Sequence, residues 1–137
     1  MYIVIDTNIV IAALIKDSKA REVLMNENFD FISPDFVLDE IHKYESYIRE
    51  KSDLSKEAFE TLMTLLFENI KLIPEEEYAS SKERAKEIMA EDIKDVPFVA
   101  VYFALNCDGI WTNDLDYKNK KELKIFSTKD LLAAINE

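Results

Sequence analysis

The sequence predicts an α/β fold, a three-layer α/β/α arrangement in which helices enclose a five-stranded parallel sheet. Three observations carry this. Short apolar runs alternate along the chain with segments of helical periodicity, the order that builds a parallel sheet covered on both faces. The first run, Tyr2-Ile3-Val4-Ile5, is apolar without alternation and breaks off at Asp6-Thr7-Asn8, as a strand buried on both faces does. Val96 to Leu105 is apolar nearly all round, so this helix is expected to lie against the sheet. With 137 residues, no internal repeat and no linker-like tract, residues 1–137 are read as one domain, large enough to hold a core without cross-links.

After the first strand, Ile9 to Leu14 reads as a short buried helix, and Ser18 is expected to cap a second that carries Val23 and Leu24 inward. Phe29 to Ile32 is the second strand. Ser33-Pro34-Asp35 has the form of a helix start, with a capping serine, a proline in the first turn and an early acid facing the dipole. That helix is expected to run from Pro34 to about Arg49. Projected at ~100° per residue, Val37, Ile41, Tyr44 and Ile48 form its apolar stripe, with Phe36 and Tyr47 on the flank. Glu40 falls inside this arc, whereas Asp39, His42, Lys43 and Ser46 fall on the solvated side. Ser55 to Asn69 forms another helix, and Ile70 to Ile73 a third strand closed by Pro74. Glu75 to Ala90 is expected to be one amphipathic helix with its acids at the favourable end of the dipole. Asp95 then heads the apolar helix, with Pro97 in the first turn and Asp92 one turn earlier. Gly109 to Thr112 is the fourth strand, running into Asn113-Asp114-Leu115-Asp116. Lys124 to Phe126 is the fifth, and Ser127-Thr128-Lys129-Asp130 has the pattern of a capping box before a last helix, Leu131 to Ile135.

A formal net charge of −11 argues against binding nucleic acid through a basic surface, unless bound divalent cations offset part of it. Lys118, Lys120 and Lys121 form the one basic cluster, with Lys124 close by; Lys16 and Lys19 are the other candidates for gripping phosphates. Cys107 is the only cysteine, which precludes an internal disulfide, and its apolar setting marks it as a small core hydrophobe. The opening apolar run is too short to span a bilayer and lacks a basic leader, so a cytoplasmic protein without membrane contact is expected.

Four acids stand at element ends or on an inward face. Asp6 follows the first strand, Asp114 follows the fourth, Glu40 turns inward after the second, and Asp95 heads the helix that leads into the fourth. In a parallel sheet these positions meet at the carboxyl-end crevice. Taken singly, Asp6 and Asp95 read equally well as helix caps, and Glu40 as half of an ion pair. Taken together they repel. At ~5 Å and an effective dielectric of ~20, each like-charge pair costs about 3 kcal/mol. Such a cluster either protonates or takes up divalent cations. Hard oxygen ligands without nearby His or Cys select magnesium or manganese, ions that activate water and stabilise in-line displacement at a phosphodiester.

The stretches IVIDTNIVIAAL, PDFVLDEI, DVPFVAVYFAL and GIWTNDLDY resemble, in order and spacing, the PIN domain, a small metal-dependent ribonuclease fold of Rossmann-like topology that includes the VapC toxins of prokaryotic toxin–antitoxin pairs. The resemblance covers essentially the whole chain. It implies that Asp6, Glu40, Asp95 and Asp114 are catalytic and hold magnesium or manganese, with Asp116 a more peripheral ligand. Thr7, Asn8, Thr112 and Asn113 would orient ligands or water by hydrogen bonding. The implied reaction is hydrolysis of single-stranded RNA, leaving a 5′-phosphate and a 3′-hydroxyl, in a chain that forms a homodimer and pairs with an antitoxin. Two other readings stand beside it. One is a catalytically silent PIN-like binding or assembly module, suggested by the weakly basic surface. The other is an aspartate-dependent phosphatase, which uses an acid after strand one but wants a second acid where Asn8 stands.

Overall fold

The computed structural model describes residues 1–136. Its strands are β1 (Tyr2–Ile5), β2 (Asp30–Pro34), β3 (Ile70–Ile73), β4 (Gly109–Trp111) and β5 (Ile125–Phe126). All pair in parallel, in the order β3-β2-β1-β4-β5. β1 is therefore central, and Ile3, Val4 and Ile5 are fully buried, as an apolar run covered on both faces requires. Ile3 pairs with Phe31 on one side and Gly109 on the other.

The helices are α1 (Thr7–Ile15), α2 (Ser18–Leu24), α3 (Phe36–Lys43), α4 (Glu45–Ser52), α5 (Lys56–Phe67), α6 (Glu75–Tyr78), α7 (Lys82–Met89), α8 (Val96–Ala104) and α9 (Thr128–Ile135). They sort into two groups. α8 crosses β1, β2 and β4 with α6 and α7 beside it, while α1 gathers α2, α3, α4 and α5, and α9 joins α2. In α8, Val96, Phe98, Val99, Ala100 and Val101 are buried, which explains its nearly uniform apolarity. The capping box opening α9 is formed in both directions: the Asp130 amide donates to Ser127 Oγ at 3.0 Å and the Ser127 amide to Asp130 Oδ2 at 2.9 Å.

Four local expectations change. The cap of α2 is Asp17, whose carboxylate accepts the Ala20 amide at 2.9 Å, so Ser18 is already inside the helix. Ser33 and Pro34 extend β2 instead of opening a helix; Pro34 pairs with Ile73, and the buried Ser33 hydroxyl donates to the Ile5 carbonyl at 3.1 Å. The predicted helix from Pro34 to Arg49 is two helices that meet at Tyr44, whose backbone (φ −103°, ψ 12°) leaves the helical region. The predicted helix from Glu75 to Ala90 is likewise divided, by a 3₁₀ turn at Ala79–Ser81. In each case the apolar pattern set the element's place and a local backbone bond set its limits.

Candidate functional site

The chain leaves β1 toward β2 and β3 on one side, then returns to place β4 on the other, so the strand order reverses between β1 and β4. A cleft of about 820 Å³ opens there. Asp6, Glu40, Asp95, Asp114 and Asp116 all line it, joined by Glu91 and Asp92; Lys94 is the one cation on its walls. The topology brings Asp6 to the mouth of β1, where its amide donates to the Trp111 carbonyl of β4 at 3.1 Å.

Threonines hold two of the carboxylates. Thr112 Oγ1 donates to Asp6 Oδ2 at 2.8 Å and itself accepts the Asp114 amide at 3.0 Å, tying the loop after β4 to the end of β1. Thr7 Oγ1 donates to Glu40 Oε1 at 2.6 Å. Glu40 has no lysine or arginine partner among the described residues, so the ion-pair explanation of its inward bearing falls away. Neither Asp6 nor Asp95 caps its helix through its side chain. Asp114 does cap, accepting the Asp116 amide at 2.9 Å in the turn Leu115–Tyr117. Asn8 is exposed on the cleft wall. Asn113 is a correction: its side chain bonds Thr128 at the head of α9 at 3.4 Å and does not line the cleft, because β5 and α9 draw the loop that way.

Burial pushes Asp6 up to about 6, with the charges of Asp114 and Glu40 adding to it and the Thr112 hydroxyl opposing. Asp95 rises to about 7, again through burial first, then through Asp6, Asp114 and Asp92. Asp116 is raised chiefly by Asp114 and Asp92. The cluster therefore behaves as one unit of mutually repelling acids. Beneath it, Tyr117 is fully buried; its hydroxyl is near enough to Asp95 to lower that acid's pKa, yet makes no hydrogen bond of acceptable geometry. Burial, Asp6 and Asp95 all drive the phenol's own pKa upward.

The tightest grouping of carboxylate oxygens among the described residues is Asp92, Asp95 and Asp116, all within 4.8 Å of one another. The predicted four share the cleft without closing to that distance as a set. Glu91 and Lys94 had no role in the sequence reading, and Asp92 only a share in the capping assigned to Asp95. Their proximity to Asp95 in the chain was the only signal. Lys16, Lys19, Lys118, Lys120 and Lys121 do not line the cleft. The donor set fits a hard divalent cation: it is all carboxylate and hydroxyl oxygen, and it leaves a buried hydroxyl unsatisfied beside it.

A family model described as a PIN domain matches residues 4–130. No curated protein matches the sequence significantly. Among solved structures, a toxin–antitoxin complex from Klebsiella pneumoniae aligns with TM-score 0.68 at 12% identity, over 91% of this chain and 96% of that one. VapBC2 from Rickettsia felis, bound to a DNA fragment from its promoter, aligns with TM-score 0.65 at 17% identity, over 93% and 98%. At these identities the likeness concerns the fold.

Proposed function

The chain belongs to the PIN domain family, and from that premise we propose that it is a magnesium- or manganese-dependent endoribonuclease acting on single-stranded RNA. The observation that carries this reading is the convergence of Asp6, Glu40, Asp95, Asp114 and Asp116 on one cleft at the switch point of the sheet. Asp6, Glu40, Asp95, Asp114 and Asp116 would hold the cation, with Asp92 beside Asp95 and Asp116 as a further carboxylate. A bound ion would supply Lewis acidity toward the phosphodiester and toward water.

The residues do the rest. Thr112 and Thr7 hold Asp6 and Glu40 in single orientations, so the carboxylates need not reorganise when charge develops. Asp6 and Asp95, raised to about 6 and about 7 chiefly by burial, give up their protons less readily than ordinary carboxylates. Lys94 adds a positive charge at the wall, where an RNA phosphate would otherwise meet only acids.

The fold likeness to toxin–antitoxin assemblies supports a role as the toxin of such a pair, under control of an antitoxin; we further take residues 1–137 as one domain that forms a homodimer. No helix among the described residues is long and apolar enough to cross a membrane. We place the protein in the cytoplasm on this reading. Cleavage of single-stranded RNA should require magnesium or manganese and should vanish in Asp6→Asn. Equal cleavage by the two proteins would point to a contaminating nuclease and end the assignment.

A further inference from the structure

Tyr44 and Tyr47 line the same cleft as the acids, and they are 37% and 52% exposed. The helical stripe would have buried Tyr44. The break between α3 and α4 turns it outward instead. Two exposed rings three residues apart in the chain are an unpaired aromatic surface in the cleft that holds the acids. Ile11 and Ile15 of α1, which packs against α4, and the exposed Ile93 add apolar lining to the same cleft.

Each ring also carries a cation. Lys43 Nζ lies 5.6 Å from the Tyr44 centroid, and Lys51 Nζ lies 5.8 Å from that of Tyr47. At exposed positions such contacts are weak, so either ammonium is readily released to a stronger anion. An acidic peptide could use the cations but offers the rings few flat faces. A polyanion with flat apolar groups uses both.

We propose that Tyr44 and Tyr47 form a stacking platform for bases of a single-stranded nucleic acid whose backbone enters the acid cleft, with Lys43 and Lys51 taking adjacent phosphates. The proposal rests on reading that cleft as a phosphodiester site. It requires a single strand, because a duplex offers base edges while a stacking ring needs a bare base face. It also explains how a chain of net charge −11 holds RNA: the grip is local, aromatic and on one wall.

The test is a cycle between ring and base. Binding of a fluorescent single-stranded RNA is measured by anisotropy in the wild-type protein with calcium in place of magnesium, the strand being checked for intactness afterwards, beside an oligomer of the same length lacking bases. Adding Tyr47→Ala or Tyr44→Ala should weaken binding of the RNA by about tenfold per ring, the range of one base–aromatic stack. Tyr47→Phe should restore it, and the abasic oligomer should bind all variants alike. Lys43→Ala and Lys51→Ala should instead weaken both oligomers and reduce the salt dependence. Unchanged RNA binding in both tyrosine variants, equal losses on the abasic strand, or no binding by the parent would each overturn the platform. The first outcome would assign the rings to a protein partner. RNA cleavage by the wild-type protein is scored separately: a positive cycle without cleavage keeps the platform and removes the nuclease, and cleavage without the cycle does the reverse.

Discussion

In Asp6 a carboxylate that is 3% exposed accepts one hydroxyl and faces two further acids, so ionising it without a counter-charge is unfavourable. Its folded pKa of about 6 and that of Asp95, about 7, both exceed the ordinary 3.8. The folded, metal-free chain then holds protons that the unfolded chain has released, so these groups' contribution to stability falls as pH rises from about 4 to about 7 and levels beyond. In EDTA, the denaturation midpoint should decline across that window. Asp6→Asn keeps an acceptor for Thr112 while removing the charge, so it should flatten the decline and raise stability at pH 7.5 by on the order of 2 kcal/mol. A mutant less stable than wild type under those conditions would return Asp6 to a purely structural role. Cys107 makes the contrasting case. Burial, with Asp108 adding, pushes its thiol up to about 12, and its Sγ contacts the Val101 carbonyl at 3.7 Å. It should react with a disulfide reagent at pH 8 more than about a hundredfold slower than free cysteine until the protein is unfolded. The apolar stretch around it reads as core, and the structure leaves it half-buried at the core's edge, between exposed Asn106 and Asp108; nothing in the chain near Asp6 told how far its charge is suppressed.

The elements that hold the cleft are short, and their joints matter as much as their lengths. β4 contributes three residues, yet it carries Thr112 and Asp114 into the site. Gly109 at its start lies directly against the ring of Phe126 on β5, and a Cβ there would also sit 3.2 Å from the Lys124 carbonyl. Gly109→Ala should therefore cost about 1–3 kcal/mol by overpacking, read as a lower urea midpoint with unchanged m-value. An unaffected midpoint would mean that Phe126 swings aside freely. Helix α1, which presents Asn8 to the cleft, is closed at its far end by Arg21, whose guanidinium donates to the Ala13 and Leu14 carbonyls. Such end contacts are long-range in effect and short in sequence. The helical pattern around Glu40 was legible because burial follows the 3.6-residue period: Val37, Ile41 and Ile48 are all fully buried. The break at Tyr44 was not, because a backbone joint leaves that period almost intact.

At the scale of the molecule, the cleft is strongly acidic, with Lys94 the one cation among the described residues that line it, and a divalent cation that binds only the folded arrangement must stabilise it. Manganese at one hundred times its dissociation constant should add about 2.7 kcal/mol, seen as a thermal shift in the wild type and lost in Asp6→Asn. Absence of any shift would favour the silent binding module over the enzyme. The sequence by itself determined the parallel sheet, the buried first strand and the apolar α8, because burial on both faces of a sheet writes itself as unbroken hydrophobic runs. It also determined which acids stand at strand and helix ends, since a polar residue closing an apolar run is visible locally. Only the tertiary structure decided which of these acids approach one another. It set Asp92 with Asp95 and Asp116, turned Asn113 away toward Thr128, and carried Tyr44 and Tyr47 out to the cleft wall. Those outcomes depend on strand order and on joints between helices, where residues distant in the chain meet and one hydrogen bond decides which way a side chain faces.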